Sequence, residues 1–515
     1  MKAYLILISI LIISFNLPAL AQDGSGPIRV EFDARADVFD LIPCGNMGAL
    51  MFYESAKQVD GLNKAWVFIF YDKNLKALWS KEIPVIQNLV FKQHHIVGND
   101  VYLAFQNTEK SRTDVHNFQL LKINILDATF SHTGVFIPEK ARLVNFDVSG
   151  NTFALGLNYS KEKALVIIKD LETGNENTIK LEEAPTFIED LKLNPDDKQL
   201  YIALNVYVAK KRSTLYLNIY KLQGTINNSV AIAPAREYEK LMNAQINLDD
   251  DGPIFLLGTF NSLNGKLSRT EEENIGEESE GFYIAKVANG EQVFVKLHKL
   301  MDFKNFTEIL NNQELADIQN IIQKNEKKDK SQSINYEFLI HDLYKEGDEF
   351  IMLAEAYYPE YHQISTMSYD FYGRPMPYYY TVFDGFRYFN AFIVNFDSEG
   401  NLIWSNGIKI WDMLSQRLQK KVEIYRDADD IVMFYNHEGN VVSKVINGYN
   451  EVGDVEKSKI ATSHSGDVQI ESGSGMIRHW YDDYFITFGY QTLRNSTLGG
   501  GSKRRVFYMN KLAFE

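Results

Sequence analysis

Val67-Phe68-Ile69-Phe70-Tyr71-Asp72, followed by Leu78-Trp79-Ser80 and Ile83, has a second copy far down the chain. Phe392-Ile393-Val394-Asn395-Phe396-Asp397 is followed by Ile403-Trp404-Ser405 and Ile408, and the two segments align without a gap. In each, a β-rich run meets an Asp at a turn, and a second strand carries Trp-Ser. An Asp in that place bonds backbone N–H groups of the turn, and the Trp supplies apolar area.

Weaker copies of the hairpin lie at Phe118 to Val135, Ala164 to Leu181, Leu215 to Ala233, Gly281 to His298 and Val441 to Ala461, and a lone strand, Arg505 to Leu512, ends the series. Upstream of each stands another hairpin with a polar turn, such as Val97-Gly98-Asn99-Asp100 or Ser149-Gly150-Asn151. The strands that follow, such as Val101-Tyr102-Leu103-Ala104-Phe105 and Phe350-Ile351-Met352-Leu353-Ala354, are near-continuous apolar runs, as expected of strands buried on both faces. Four antiparallel strands recurring at intervals of about 50 residues predict propeller blades. The reading is an all-β fold, an eight-bladed β-propeller with seven blades as the alternative. The last unit lacks an outer strand, and Ile28-Arg29-Val30-Glu31-Phe32 is placed to supply it and close the ring.

Asp397-Ser398-Glu399-Gly400-Asn401-Leu402-Ile403-Trp404 resembles the Asp…Gly…Trp outer hairpin of pyrroloquinoline-quinone-type propeller repeats. The Asp-to-Gly spacing is one residue short of that pattern, and Leu75-Lys76 stand where Gly400-Asn401 do. The resemblance covers two hairpins well and implies the propeller fold. It transfers no cofactor-binding residue, and no cofactor is expected.

Lys2, the apolar run Ala3 to Leu17 and the small-residue site Ala19-Leu20-Ala21 read as a secretory signal peptide over 1–21. That run is too short to span a bilayer, and no transmembrane segment follows. The expectation is a single propeller domain over 22–515, exported and extracytoplasmic, with insertions at 301–333 and 357–389. Cys44 is the sole cysteine, so stability must come from a packed core and not from disulfides. A formal charge of −15 argues against a nucleic-acid partner.

Naming the strands of a blade A to D from the channel outward, antiparallel order puts B–C and D–A connections on one rim. The long connections fall there: Asn261 to Glu280, Met301 to Ser333, Tyr357 to Phe389, Trp411 to Lys420 and Gln491 to Arg504. Within Met301 to Ser333, Asn311-Asn312-Gln313-Glu314 opens a predicted short helix, with Leu315, Ile318, Ile321 and Ile322 as its apolar stripe. Tyr357 to Phe389 reads as a loop in which 13 of 33 residues are aromatic, against 13% for the chain. Its candidate binding residues are Tyr357, Tyr358, Tyr361, Tyr369, Tyr372, Tyr378, Tyr379, Tyr380 and Phe386. Tyrosines in this number suit recognition of a protein or a glycan.

Metal signals are weak. His94 and His95 are neighbours on a strand and point to opposite faces, and Asp249-Asp250-Asp251-Gly252 lacks the alternating ligand spacing of a calcium loop, so no metal site is expected. Asp370, Asp384, Glu355 and Glu360 are the carboxylates on which a polysaccharide hydrolase or lyase would draw. The leading expectation is a non-enzymatic binding protein that meets a protein or glycan partner through its loop-rich aromatic face. The polysaccharide-degrading enzyme stands second, and a cofactor-bearing dehydrogenase third.

Overall fold

The computed structural model describes residues 28–513 except 35–37, 108–115, 161, 195, 197, 210–211, 249–251, 263–278, 305, 307–309, 311–315, 317–335, 342, 370–371, 428, 474 and 496–502. These residues form eight antiparallel sheets of four or five strands, in chain order. Blades 1 to 7 span 39–86, 89–135, 142–181, 186–232, 239–299, 337–415 and 423–459. Blade 8 takes 467–513 together with the N-terminal strand Arg29–Asp33.

Apolar clusters lie between neighbouring blades, and their sequence round the molecule closes the ring. Phe52 and Phe68 of blade 1 pack with Leu103 and Phe105 of blade 2. Phe255 and Phe282 of blade 5 meet Phe350 and Phe392 of blade 6. Trp480 and Phe507 of blade 8 meet Phe39 and Met51 of blade 1. The five remaining junctions are filled in the same way. Each such aromatic or aliphatic side chain contributes about 1.5–3 kcal/mol of burial. Because strand B is covered by both neighbouring blades, Val101 to Gln106 are all buried, which explains the unbroken apolar runs.

The turn chemistry follows the sequence. Asp72 Oδ1 accepts from the N–H groups of Asn74 and Lys76 at 2.8 and 2.9 Å. Asp397 Oδ1 accepts from those of Glu399 and Asn401 at 2.9 and 2.7 Å. Gly400 sits at φ 75°, and Leu75, in the equivalent place, takes φ 56° with its side chain buried. The left-handed conformation disfavours a leucine, and packing of its side chain offsets that cost. The Trp79 N–H donates to the Ile125 carbonyl of the next blade at 2.9 Å.

A regularity missing from the sequence reading links the blades. In six of the eight blades the seventh residue of strand B bonds the backbone where the next blade begins. Asn158 bonds Ile188 both ways, at 2.8 and 3.0 Å. Asn205 donates to Met242 O at 2.8 Å and Asn436 to Met476 O at 3.2 Å. Gln106 donates to Ala141 O. The Tyr490 hydroxyl bonds both the N–H and the carbonyl of Phe39. In blade 6 this place belongs to Glu355.

The N-terminal strand pairs antiparallel with Lys503–Ala513, from Arg29↔Asn510 to Asp33↔Val506. Arg29 is almost wholly enclosed. Its guanidinium donates to Glu31 at 2.7 Å, Asn510 at 3.0 Å, Gln491 at 2.9 Å and the Ala461 carbonyl at 2.8 Å, and lies 4.6 Å from the centre of the Tyr508 ring. Arg504 joins Asp467 at 2.6 Å and Glu31 at 3.3 Å.

Two expectations are revised. Tyr357 to Phe389 is not a loop: strands B (Glu349–Tyr369) and C (Pro375–Asp397) of blade 6 run straight through it as a long hairpin. The connection expected from Trp411 is strand as far as Ser415, because strand D (Leu402–Ser415) follows the hairpin outward. Of the 301–333 insertion, a 3-10 turn at Leu300–Asp302 leads to Phe303, Phe306 and Leu310, all buried in the core between blades 5 and 6. The helical stripe Leu315 to Ile322 lies outside the described residues, as do Asp249 to Asp251.

Candidate functional site

The hairpin of blade 6 has a buried base and an open end. At the base, two irregularities in register, at Ala356/Tyr357 and Glu360/Tyr361, insert Phe389 and Asp384 as extra residues of strand C. Such bulges bend and twist a strand pair and re-aim its side chains. Tyr357, Phe386 and Tyr388 are buried with Ile410, Met413 and Val422, in the core shared with blade 7. The Tyr388 hydroxyl donates to the Gln419 carbonyl at 2.8 Å and accepts from the Gln419 N–H at 2.9 Å. Burial raises the phenol pKa of both Tyr357 and Tyr388 well above the ordinary value.

Strand D accompanies the hairpin only to Phe386↔Ser415. Beyond that point, among the described residues, strands B and C pair only with each other from Tyr361↔Phe383 to Tyr369↔Pro375, a two-stranded ribbon about 30 Å long at roughly 3.3 Å per residue. Aromatic and β-branched residues (Ile364, Thr366, Tyr378 to Val382) account for the extended backbone. Partners in register share a face. One face carries Tyr361, Phe383, Tyr379 and Met367; the other carries His362, Val382, Ile364, Tyr380 and Tyr378. Tyr372, Tyr378, Tyr379 and Met367 are each more than 60% exposed, and Tyr358, Tyr361, Tyr380 and Met376 are also exposed. Tyr369 ends strand B, next to positions outside the described residues. The nine tyrosines and phenylalanines singled out from sequence therefore separate: Tyr357 and Phe386 are spent on packing, while Tyr358, Tyr361, Tyr372, Tyr378, Tyr379 and Tyr380 face outward.

Polar contacts fix the ribbon to its root. Arg387 Nε donates to Glu360 at 2.5 Å, and its Nη1 pairs with Asp412. These bonds and nearby anions raise the Arg387 pKa. His362 Nδ1 lies 2.5 Å from Asp384 Oδ1, and Gln416 donates to the Asp384 carbonyl. Glu355, five residues before Glu360 and so about 16 Å along the strand, is fully buried. Its Oε1 accepts from His341 at 2.5 Å and from the N–H groups of Lys421 and Val422 at 2.7 and 2.8 Å. Burial, with repulsion from Arg478, pushes the Lys421 ammonium down to about 7. Asp370 lies outside the described residues. Each of the three described carboxylates is already bonded, Glu355 in the core and Glu360 and Asp384 at the bulge beside Arg387.

The rim around the root is shared with neighbouring insertions. Ser279, at the end of the blade 5 B–C connection, bridges Tyr336, at the end of the connection from blade 5 to blade 6. The Tyr336 ring lies 5.1 Å from Phe389, which in turn lies 6.0 Å from Tyr358. Residues 263–278 and 496–502, in the other long connections, lie outside the described residues. His95 meets Asp147 at 3.3 Å, while burial, with repulsion from Arg478 and His95, lowers the His94 imidazole to about 4. No group of three or more potential metal ligands occurs among the described residues. No described helix is long and apolar enough to cross a membrane.

No family model matches the chain, and no curated protein matches it in sequence. Among solved structures it is similar to a prolyl endopeptidase, at 9% identity over 83% of this chain and 50% of that one, with a TM-score of 0.38. It is similar to the polysaccharide lyase Uly1 at 10% identity over 92% and 99% of the two chains, TM-score 0.38. It is also similar to the β-propeller domain of the Trilobed protease from Pyrococcus furiosus, at 9% identity over 81% and 98%, TM-score 0.33. The chain spans half the length of the first of these.

Proposed function

We propose that this chain is an exported binding protein in which the propeller is a rigid mount and the blade 6 ribbon is the recognition element for a protein partner. The observation that carries the reading is the ribbon itself, with tyrosines and methionines exposed on both faces. An isolated two-stranded hairpin is marginal in water, and exposed apolar area of this extent marks an interaction surface. Tyrosine and methionine suit a protein surface, one through a rigid ring with a polar end and the other through an adaptable thioether. A protein is favoured over a glycan because no described strand pairs alongside the ribbon beyond Phe386↔Ser415, and only another polypeptide can pair a strand along its length.

Export is part of the reading and rests on Lys2, the apolar run and Ala19-Leu20-Ala21. The polysaccharide-degrading alternative draws no support from the carboxylates, since Glu355 is enclosed, Glu360 is held by Arg387 and Asp384 by His362. The test replaces Tyr378, Tyr379 and Tyr380 together by Ser in the full chain. Wild type and variant are then compared for proteins captured from the source cells and for retention on immobilised glycans. Loss of a specific protein from an otherwise folded variant is the expected result. An unchanged protein set, or a loss confined to glycans, overturns it.

A further inference from the structure

The inner strands of blades 2 to 6 are tied side by side by polar side chains. Gln93 donates to the Val144 carbonyl at 3.0 Å, Asn145 to Asp190 at 2.8 Å and Gln245 to the Ile340 carbonyl at 3.1 Å. The aspartates of this wall are consumed by backbone groups. Asp147 accepts from the Leu193 N–H at 2.8 Å, and Asp190 from that of Ile246 at 2.9 Å.

From the link between blades 6 and 7 round to blade 2, the channel wall is built from charges instead. Arg417, in that link, reaches over the channel mouth to Asp40 on the inner strand of blade 1, 3.9 Å away. Arg478, on the inner strand of blade 8, donates to the Lys420 carbonyl at 2.6 Å and lies 3.9 Å from Glu423. Lys92 is the extra residue of a bulge in the inner strand of blade 2, between Phe91 and Gln93. Lys92 is accessible, yet desolvation and then the charge of Arg417 lower its pKa. Asp40 keeps 35% of its side-chain surface accessible, yet desolvation raises its carboxyl. Water reaches both groups while protein atoms crowd them, as inside a narrow opening.

We propose that this opening, on the rim that carries the ribbon, binds a small dianionic oxyanion, a phosphate or a dicarboxylate, between Arg417, Lys92 and Arg478. The site is separate from the ribbon and does not depend on its role. Two observations carry it. Cations are in excess: Lys92, Arg417, Lys420 and Arg478 face Asp40 and Glu423, four charges against two, in a chain whose formal charge is −15. Like charges held together repel, and a bound anion relieves that repulsion. Donors also lack acceptors. A separation of 3.9 Å is too long for a hydrogen bond, so among the described residues neither the Arg417 guanidinium nor the Lys92 ammonium makes one. A guanidinium offers a planar fork that matches carboxylate and phosphate oxygens, and an ammonium adds a point charge. Across the acidic remainder of the surface a dianion is repelled, which favours this one place.

The full chain is titrated calorimetrically with inorganic phosphate and, separately, with succinate, at an ionic strength held constant with chloride. Saturable binding of one anion per chain is expected, and which of the two binds more tightly tells a phosphorylated ligand from a dicarboxylate. Arg417→Gln is expected to weaken that binding about tenfold or more, the loss of charge-assisted hydrogen bonds, and Lys92→Met by a smaller factor. Both side chains are accessible, so melting temperatures should stay at the wild-type value and separate lost binding from lost folding. Lys459→Met, on the exposed outer strand of blade 7, is expected to leave affinity unchanged. Absence of saturable binding by either anion up to about 10 mM overturns the proposal. So does binding undiminished by Arg417→Gln, or weakened as much by Lys459→Met. The ribbon reading is tested apart from this, by the capture comparison with the serine variant.

Discussion

The seam of blade 8 and the ribbon of blade 6 are both places where the chain departs from a plain four-stranded blade, and they treat a strand edge in opposite ways. At the seam, the last blade's open edge receives Arg29–Asp33, and buried charge pairs tie that strand to the preceding link through Ala461. In the ribbon, strands B and C run past the last described strand that pairs with them. The same aromatic chemistry serves both: Tyr508 lies beneath Arg29 at the seam, while Tyr379 stands in solvent. What differs is whether another strand lies within reach. Stability is concentrated where edges are consumed, and the element proposed for recognition lies where the described neighbours end.

The comparison predicts a steep gradient of mutational effects. Arg29→Ala leaves Glu31 with Arg504 as its remaining cation and leaves Asn510 and Gln491 without their buried donor, and should cost about 3–5 kcal/mol in chemical denaturation. A loss below about 1 kcal/mol would place the seam among ordinary surface ion pairs. At the ribbon root, Tyr388→Phe strands both Gln419 backbone groups and should cost about 1–3 kcal/mol. At the tip, Tyr379→Ser should change stability by no more than about 0.5 kcal/mol, since the residue is exposed. A larger loss there would mean that the ribbon packs on the ring after all.

Acid should sharpen the contrast further. Burial alone would raise the Glu31 carboxyl, yet Arg29 and then Arg504 outweigh it and hold its pKa below the ordinary glutamate value. Asp467 is likewise held down, by Arg504 and Asn495 against burial. A carboxyl depressed in the folded state contributes stability that is complete above its unfolded pKa, about 4.3 for glutamate, and is lost as pH falls through the folded value. Melting temperatures should therefore drop below about pH 4, and Glu31→Gln should flatten that fall. An unchanged slope in the variant would remove Glu31 from the seam's charge balance.

Much of the ring was legible from residues alone, because its signals are local. Asp72 and Asp397 cap their turns as the repeated hairpin requires, and the closing strand begins within one residue of the segment assigned to that role. The seventh-residue links were not legible. Asn158, Asn205, Glu355 and Asn436 are polar residues in apolar runs, but nothing in sequence says that the next blade's backbone waits opposite each of them. The ribbon was misread for a definite reason. Pro359, Gly373, Pro375, Pro377 and Gly385 punctuate it as they would a loop. Proline breaks a central strand but fits one whose nitrogen faces outward, and only the assembled sheet shows which case applies.

By itself, then, the order of amino acids determined the repeating four-strand unit, its turns and the strand that closes the ring, since each depends on side chains acting within a few residues of their own backbone. The assembled ring decided which tyrosines are core and which are surface. That outcome depends on how far strand D and blade 7 extend beside the hairpin, and burial is a property of neighbours distant in sequence.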